Sequence, residues 1–187
     1  CLIREKYPNL EGHASTQANT SSKETAKLFY DLGVKRVVFS REMTLDEIKN
    51  IDVPIEKEVF VHGALCICYS GCCLMSSMIG TRSGNRGECA GSCRLPYTLE
   101  KDGKVISENK YLLSTKELNS ASNFKEILNS DIISFKIEGR MKSPEYVGFI
   151  TRYYRDLIDN NGNVDIEKYN NQLKTIFNRE FTKGHLM

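Results

Sequence analysis

Six of the seven cysteines of this chain lie in one glycine-rich stretch. They are Cys66, Cys68, Cys72, Cys73, Cys89 and Cys93, and the seventh, Cys1, is interpreted as a bystander. Thiolates gathered on loops are the ligands that soft metal ions and iron–sulfur clusters require. If they serve one inorganic centre, loop positions distant in sequence must converge, which strongly constrains the fold of this stretch.

Disulfide bonds are the other common use of clustered cysteines. A small disulfide framework normally has an even cysteine count, a secretory leader and a core too small to stand alone. Here the count is odd, at seven, and 187 residues with 40% hydrophobic content can bury a core. The opening residues also show no charged-then-apolar leader. We therefore expect a cytoplasmic protein with reduced thiols.

Charge and hydropathy exclude two further classes of protein. With 26 basic and 24 acidic residues the net charge is +2, which is too balanced for a protein that coats a polyanion. Nucleic-acid binding must therefore come from local groups. No apolar run approaches the roughly 20 residues of a membrane helix, so no transmembrane segment is expected.

Helix and strand signals alternate along the chain. The expected helices are residues 23–32, 44–50, 114–128, 143–158 and 166–177, and the expected strands are 35–39, 57–61, 111–113 and 132–137. The pair Asp102-Gly103 readily adopts positive φ angles, which predicts a hairpin between residues 97–99 and 105–106. This alternation predicts an α/β fold with a parallel sheet and crossover helices.

Polar or ionisable side chains follow the ends of the expected strands. They are His13, Ser15 and Gln17; Ser40, Arg41 and Glu42; His62; and Lys136, Glu138 and Arg140. Catalytic groups gather at this rim in a (β/α)₈ barrel, so we expect a partial, TIM-barrel-like domain. A whole barrel needs roughly 250 residues. We therefore expect residues 1–187 to be a fragment lacking N-terminal strands, with a cysteine-rich loop and hairpin insertion at residues 63–110.

The spacing of the cysteines bears on the kind of metal centre. Zinc ribbons favour paired C-x2-C units, and none occurs here. Iron–sulfur clusters accept more varied spacing from loops such as Ser70-Gly71 and residues 80–91. The spacing favours a cluster, with buried or incidental thiols as the alternative.

Several segments carry a family signature. They are His62-Gly63-Ala64-Leu65-Cys66, Tyr69-Ser70-Gly71, Arg82-Ser83-Gly84-Asn85-Arg86-Gly87-Glu88-Cys89-Ala90 and Cys93-Arg94, with further segments at residues 13–19, 37–42, 134–140 and 177–182. In this order they resemble the collagenase-like peptidases of unknown catalytic type, the U-thirty-two peptidases. The resemblance spans nearly the whole chain.

The resemblance implies a barrel-type domain that carries a four-iron four-sulfur cluster. Position by position it implies Cys66, Cys73 and Cys89 as ligands with Cys93 as the fourth, while Cys68 and Cys72 depart from the family pattern. It also implies an oxygen-independent hydroxylase acting on RNA, foremost on a tRNA wobble uridine with prephenate as the hydroxyl donor. A ribosomal RNA cytidine and the ubiquinone ring are the other implied targets.

A peptidase is the first alternative, since the older family label is protease or collagenase. The chain has no H-E-x-x-H helix and no G-x-S-x-G elbow. A cysteine nucleophile with a histidine base, such as Cys66 with His62, is the remaining route. The thiol cluster gives a metal explanation for the same residues. A scaffold subunit that works with a homologous protein partner is a further, non-enzymatic alternative.

Arginines beside the glycine-rich loop are the expected RNA contacts. Arg82, Arg86 and Arg94 flank this loop, and guanidinium groups hold phosphates well. The alternative is that they solvate the loop or pair with carboxylates. Tyr69 and Tyr97 are candidates for stacking a splayed base, although tyrosines are more often part of the core.

The expected catalytic groups lie at two strand ends. Lys136, Glu138 and Arg140 alternate along one strand and so share a face. This predicts substrate binding by Lys136 and Arg140 and acid–base chemistry by Glu138, with an interior salt-bridge layer as the alternative. His62 is expected either to act as a general acid or base or to support the cluster loop through hydrogen bonds.

Overall fold

The computed structural model describes residues 5–140, 142–177 and 179–187. Cys1, interpreted above as a bystander, and Asn178, in one of the family segments, lie outside the described residues. The chain divides into two compact units. The first contains the described residues up to Leu65 and from Lys116 onward, and the second is Cys66–Thr115.

The described part of the chain forms strands and helices in alternation. The strands are β1 His13–Ala14, β2 Arg36–Val38, β3 Glu56–Ala64, β4 Tyr97–Lys101, β5 Lys104–Lys110, β6 Glu117–Asn119, β7 Ile132–Glu138 and β8 Phe181–Thr182. The helices are α1 Lys23–Asp31, α2 Leu45–Lys49, α3 Met75–Ile79, α4 Phe124–Leu128, α5 Pro144–Asp159 and α6 Ile166–Ile176. Among these, no helix is long and apolar enough to span a membrane.

Strand β3 is the centre of the sheet of the first unit. It runs parallel to β2 and β7, and β1 extends the parallel part beyond β2. Its last residues pair antiparallel with β6, which in turn pairs parallel with β8. The fold is therefore α/β with a mostly parallel sheet, as expected. The barrel-like closure of this sheet stays a prediction.

The helices of the first unit cover one face of this sheet. Ser143 caps α5 by accepting a hydrogen bond from Tyr146 N at 3.2 Å, and Pro144 occupies the first turn, where its missing N–H does no harm. Side chains three or four residues apart along α5 are buried: Tyr146, Ile150, Tyr153, Tyr154 and Leu157. They pack with β-branched residues of the central strands, such as Val37, Val59 and Val61.

The predicted secondary structure of residues 111–128 is wrong in part. Tyr111 is 64% exposed and lies in a turn, so the expected buried strand at 111–113 does not form. The expected helix over 114–128 begins only at Phe124, because residues 117–119 form strand β6 instead. Strand pairing on both sides, with β3 and β8, satisfies the backbone of these residues and overrides their local helix preference.

The second unit contains the six described cysteines. Its regular elements are the short helix α3, two 3₁₀ turns and the hairpin β4–β5. The hairpin turn has Asp102 at φ 52° and Gly103 at φ 73°, the positive angles that the sequence predicts. Cys93 lies in one of the 3₁₀ turns, and the other five cysteines lie outside the helices and strands.

Candidate functional site

Four cysteine sulfurs of the second unit lie close enough to interact electrostatically. Burial raises the pKa of the Cys93 thiol, and Arg94 opposes this shift. The sulfurs of Cys66, Cys89 and Cys73 raise the pKa further, because a second negative charge nearby disfavours ionisation. Among the described residues, the six cysteines of this unit form no disulfide bond with one another. The four thiols that the resemblance implied as ligands thus influence one another electrostatically, and their binding of a cluster stays a prediction.

The two remaining thiols lie beside Cys73. Burial raises the pKa of Cys68, and so do the charge of Cys73 and a hydrogen bond with it. The Cys72 thiol donates to the carbonyl oxygen of Ser70 across 3.6 Å. Both lie next to the expected ligand set, so a variant at either position is a close control for the four thiols.

Cys89 is the most elaborately held of the thiols. Its sulfur accepts a hydrogen bond from Gly91 N at 3.4 Å and lies 4.0 Å from the hydroxyl of Ser76. The guanidinium of Arg82 donates to the carbonyl oxygens of Glu88 at 3.0 Å and Cys89 at 3.2 Å. Arg82 therefore holds the backbone at Cys89, while Gly91 and Ser76 contact its sulfur.

The cysteines supply thiol ligands, the type of donor that an iron–sulfur cluster uses. Across the described ranges, no three His, Cys, Asp or Glu side chains are arranged to hold one metal ion. A four-iron cluster makes a different demand, because each thiolate binds its own iron and the sulfurs stand further apart than around one ion. The free thiols of Cys66, Cys73, Cys89 and Cys93 are ligands of the chemical type that such a cluster requires, and the cluster itself stays a prediction.

The three arginines expected to bind RNA have different surroundings. Arg82 holds the backbone of the cysteine loop, and Arg94 donates to Ser114 Oγ at 3.0 Å and to the carbonyl oxygen of Thr115 at 2.8 Å. Arg86 ends a 3₁₀ turn and is exposed. Loop support therefore accounts for Arg82 and Arg94, and a phosphate contact stays a prediction for all three.

The two tyrosines considered for base stacking also differ. Tyr69 is 71% exposed, so one face of its ring is open to a ligand. Tyr97 is half-buried and donates its hydroxyl proton to the carbonyl oxygen of Ser92 at 2.8 Å. Tyr69 is therefore the better candidate for a stacking platform.

His62 is fully buried at the end of β3 in the first unit. Its Nδ1 lies 3.3 Å from the hydroxyl of Tyr154, which donates its proton to the carbonyl oxygen of Val61 at 2.7 Å. His62 Nδ1 must then carry the proton and donate to Tyr154. Burial, assisted by the charge of Lys142, lowers the pKa of His62 to about 3. The ring is neutral near pH 7 and braces the end of the strand.

Lys136 takes part in an ionic layer on the other face of the sheet. Its Nζ lies 3.5 Å from Glu58 Oε1 and donates to Ser15 Oγ at 3.4 Å. Glu58 also accepts from Ser134, and Arg36 forms an ion pair with Glu56 at 2.7 Å. These contacts are those of the salt-bridge layer given above as the alternative for Lys136. A role of Lys136 in substrate binding stays a prediction.

Glu138 and Arg140 lie at the end of β7 and just beyond it. A carboxylate oxygen of Glu138 accepts a hydrogen bond from the backbone N of Arg140 at 2.8 Å. Glu138 is half-buried, whereas Arg140 is exposed. Both are accessible to a ligand in the first unit, and their proposed chemical roles stay predictions.

Sequence reasoning missed a buried ion cluster around Glu117. This carboxylate is fully buried, and its Oε1 accepts from Lys142 Nζ at 3.2 Å and from Arg179 Nη1 at 2.6 Å. Lys142 Nζ also lies 3.3 Å from the centre of the Phe177 ring. These residues come from three distant segments, and Glu117 was assigned to a helix. No local pattern signalled the cluster.

The hydroxyl of Tyr146 belongs to the same neighbourhood. Burial raises the pKa of Tyr146, and the negative charge of Glu117 raises it further. Among the described residues, neither the Tyr146 hydroxyl nor Glu117 Oε2 has a hydrogen-bond partner, and both atoms are buried. The charge of Glu117 is therefore balanced from one side, by Lys142 and Arg179.

This molecule is an α/β protein with four neighbouring free thiols in a loop-rich unit. The chain matches the model of Peptidase family U32 over residues 1–187 and belongs to that family. The match confirms the family resemblance seen in the sequence.

Curated relatives carry several names. The chain is 44% identical over 161 residues to an Escherichia coli 23S rRNA 5-hydroxycytidine synthase, a match covering 84% of this chain and 25% of the relative. It is 40% identical over 202 residues to tRNA hydroxylation protein P of Helicobacter pylori, covering 100% of this chain and 48% of the relative. It is 36% identical over 199 residues to a collagenase of Porphyromonas gingivalis, covering 95% and 48%. The chain thus spans about half the length of these relatives or less, and no solved structure matches it significantly.

Proposed function

We propose that this chain belongs to an iron–sulfur enzyme that hydroxylates RNA without molecular oxygen, with a tRNA wobble uridine as target and prephenate as hydroxyl donor. The observation that carries the proposal is the gathering of six cysteines in residues 66–115, where the Cys93 thiol interacts electrostatically with those of Cys66, Cys73 and Cys89. Relatives named for tRNA hydroxylation and for an rRNA hydroxycytidine support RNA as the substrate class.

In this proposal Cys66, Cys73, Cys89 and Cys93 hold a four-iron four-sulfur cluster. The bound cluster supplies one-electron chemistry and a Lewis-acidic iron. Arg82 keeps the backbone of the Cys89 loop in place through the carbonyl oxygens of Glu88 and Cys89. Rigid loops of this kind limit the rearrangement that a bound cluster requires of its ligands.

RNA is held by charge and by stacking in the second unit. The exposed guanidinium of Arg86 binds a phosphate, and the exposed ring of Tyr69 stacks a splayed base. Single-stranded loops of RNA expose bases that can be stacked in this way. Arg82 and Arg94 add positive potential while they support the loops.

The strand end of β7 orients the smaller substrate groups. Lys136 and Arg140 bind a carboxylate of the hydroxyl donor or the target base, and Glu138 accepts or donates a proton. The burial and low pKa of His62 disfavour the expected acid–base role, and its hydrogen bond goes to Tyr154 rather than to the cysteine loop. We assign His62 to positioning of the end of β3 rather than to proton transfer at neutral pH.

Proteolysis is the alternative, favoured by the relative named collagenase. A cysteine protease would need a histidine base beside the nucleophile. His62 does not suit that role, because both ring nitrogens are buried and Nδ1 is committed to Tyr154. A scaffold subunit with a homologous partner is the non-enzymatic alternative.

The test uses the full-length protein purified without oxygen. Iron and acid-labile sulfide are measured on the wild type, on Cys66→Ala and on Cys72→Ala, and hydroxylated nucleosides are quantified by mass spectrometry in RNA from cells carrying each form. We expect Cys66→Ala to lose iron and RNA hydroxylation, and Cys72→Ala to keep both.

Other results would support the alternatives. Metal-free wild-type protein that cleaves peptides would support a peptidase and refute the hydroxylase proposal. Full iron content with hydroxylation that appears only in the presence of a co-purifying homologous protein would support the scaffold. Unchanged iron content in Cys66→Ala would contradict the ligand assignment.

A further inference from the structure

Ser76 is buried beside the cysteine loop although it lies in the short, largely exposed helix α3. It is 4% exposed, whereas its neighbour Ser77 is exposed. The Oγ of Ser76 accepts a hydrogen bond from Ala90 N at 3.0 Å. The same hydroxyl lies 4.0 Å from Cys89 Sγ as a donor. Because Ala90 occupies a lone pair of this oxygen, the hydroxyl proton is left to point at the sulfur.

A second donor reaches the same sulfur from the backbone. Gly91 N lies 3.4 Å from Cys89 Sγ, within hydrogen-bond distance for a sulfur acceptor. Gly91 has φ of 69°, a left-handed conformation that glycine adopts without strain, and this turns the chain around the sulfur. Cys89 Sγ therefore accepts one N–H and one O–H donor.

Donors aimed at a ligand sulfur affect a cluster in a known direction. Reduction adds negative charge, part of which resides on the ligand sulfurs, and hydrogen bonds stabilise that charge. The residues behind metal ligands set both the orientation of the ligand and the properties of the centre. A donor at Cys89 therefore makes the reduced cluster more stable.

We propose that Ser76 is a positioning residue that fixes Cys89 through the Ala90–Ser76–Cys89 hydrogen-bond chain and raises the reduction potential of the cluster. This inference rests on the iron–sulfur centre of the proposed function. Packing alone would not raise the reduction potential, because a methyl group in place of the Ser76 hydroxyl fills similar space but donates no hydrogen bond.

The experiment compares side chains that differ in the hydroxyl. Full-length wild type, Ser76→Ala, Ser76→Thr, Ser76→Val and the control Ser77→Ala are purified and reconstituted without oxygen. Iron and sulfide per chain are measured first. The midpoint potential is then determined by dithionite titration followed by electron paramagnetic resonance. Threonine and valine have nearly the same shape, so this pair isolates the hydroxyl.

We expect Ser76→Thr and Ser77→Ala to keep the wild-type potential. Ser76→Ala and Ser76→Val should have a more negative potential, with the equilibrium constant for reduction lower by about threefold to tenfold. Failure of Ser76→Val to load iron while Ser76→Thr loads fully would also support the hydroxyl. Equal potentials of Ser76→Thr and Ser76→Val would overturn the proposal. If neither of these two variants binds iron, equal potentials of Ser76→Ala and the wild type would overturn it. Lack of iron in the wild type would instead refute the proposed function.

Discussion

Removing the charge of Glu117 tests the buried ion cluster most directly. Glu117→Gln keeps the shape of the side chain but removes the negative charge that faces Lys142 and Arg179. The Lys142 side chain is 10% exposed and cannot regain its water shell, whereas that of Arg179 is 32% exposed and partly can. Most of the expected loss of stability therefore comes from Lys142.

The expected loss follows from the burial of these groups. Removing one partner of a fully buried pair costs about 3–5 kcal/mol. Partial exposure of Arg179 and the amide oxygen of glutamine place the expected value near the lower end, at about 3 kcal/mol. For a chain of this size, such a loss lowers the midpoint of thermal unfolding by about 6–12 °C.

Urea unfolding followed by circular dichroism provides the assay. The matched control is Asp31→Asn, which breaks the exposed Lys27–Asp31 pair and should change the free energy of unfolding by less than about 1 kcal/mol. In the double variant Glu117→Gln with Lys142→Met, stability should largely return, because the buried carboxylate and the buried ammonium group are removed together. A loss below about 1 kcal/mol for Glu117→Gln, or no recovery in the double variant, would refute this reasoning.

Three further predictions follow from buried or strained groups. Because the folded state holds the pKa of His62 at about 3, below the ordinary 6.5, the unfolded chain binds more protons between these values and stability falls as pH falls through this window. Urea unfolding at several pH values should show a shallower decline in His62→Gln than in the wild type, while the exposed-site control His13→Gln should keep the wild-type slope. Gly63 has φ of 112°, and a Cβ there would lie 2.3 Å from the carbonyl oxygen of Glu138, so Gly63→Ala should lower the free energy of unfolding by more than about 2 kcal/mol. The open-space control Gly148→Ala, inside α5, should raise it by about 0.8 kcal/mol. Ser143→Ala removes the cap of α5 and should cost about 1 kcal/mol in the same assay, with Ser122→Ala as an exposed control.

Elements whose chemistry is local could be predicted from the sequence. The helix expected from residue 44 forms as α2, and Thr44 and Glu47 cap it by a capping box whose two partners lie within one helical turn. Asp102 and Gly103 form the predicted hairpin turn, and Ser143 with Pro144 begins α5. In each case the partners that fix the backbone lie within a few residues of one another.

Elements fixed by distant partners could not be predicted in this way. Strand β6 exists because the backbones of β3 and β8 lie on either side of it. The partners of Glu117 lie at positions 142 and 179, far away in sequence.

The arginines of the cysteine loop show the same limit within the site. Their residue types gave no reason to separate Arg82, which binds two carbonyl oxygens, from the exposed Arg86. Which carbonyl groups a guanidinium meets is decided by the path of the loop, and that path is not encoded in a short motif.

The two parts of the first unit that flank residues 66–115 in sequence pair with each other in the sheet. The last residue of β3, Ala64, pairs with Glu117, the first residue of β6, in an antiparallel register. Opposite residues of such a pair have Cα atoms about 4.5–5.5 Å apart, a gap that a short hairpin turn can close. Replacing residues 66–115 by a short Asn-Gly-containing turn should therefore leave the first unit folded, with cooperative unfolding by circular dichroism. The Glu117→Gln loss should persist in that shortened chain, because Lys142 and Arg179 belong to the first unit. An unfolded product would contradict this prediction and show that the sheet needs residues 66–115 for its stability.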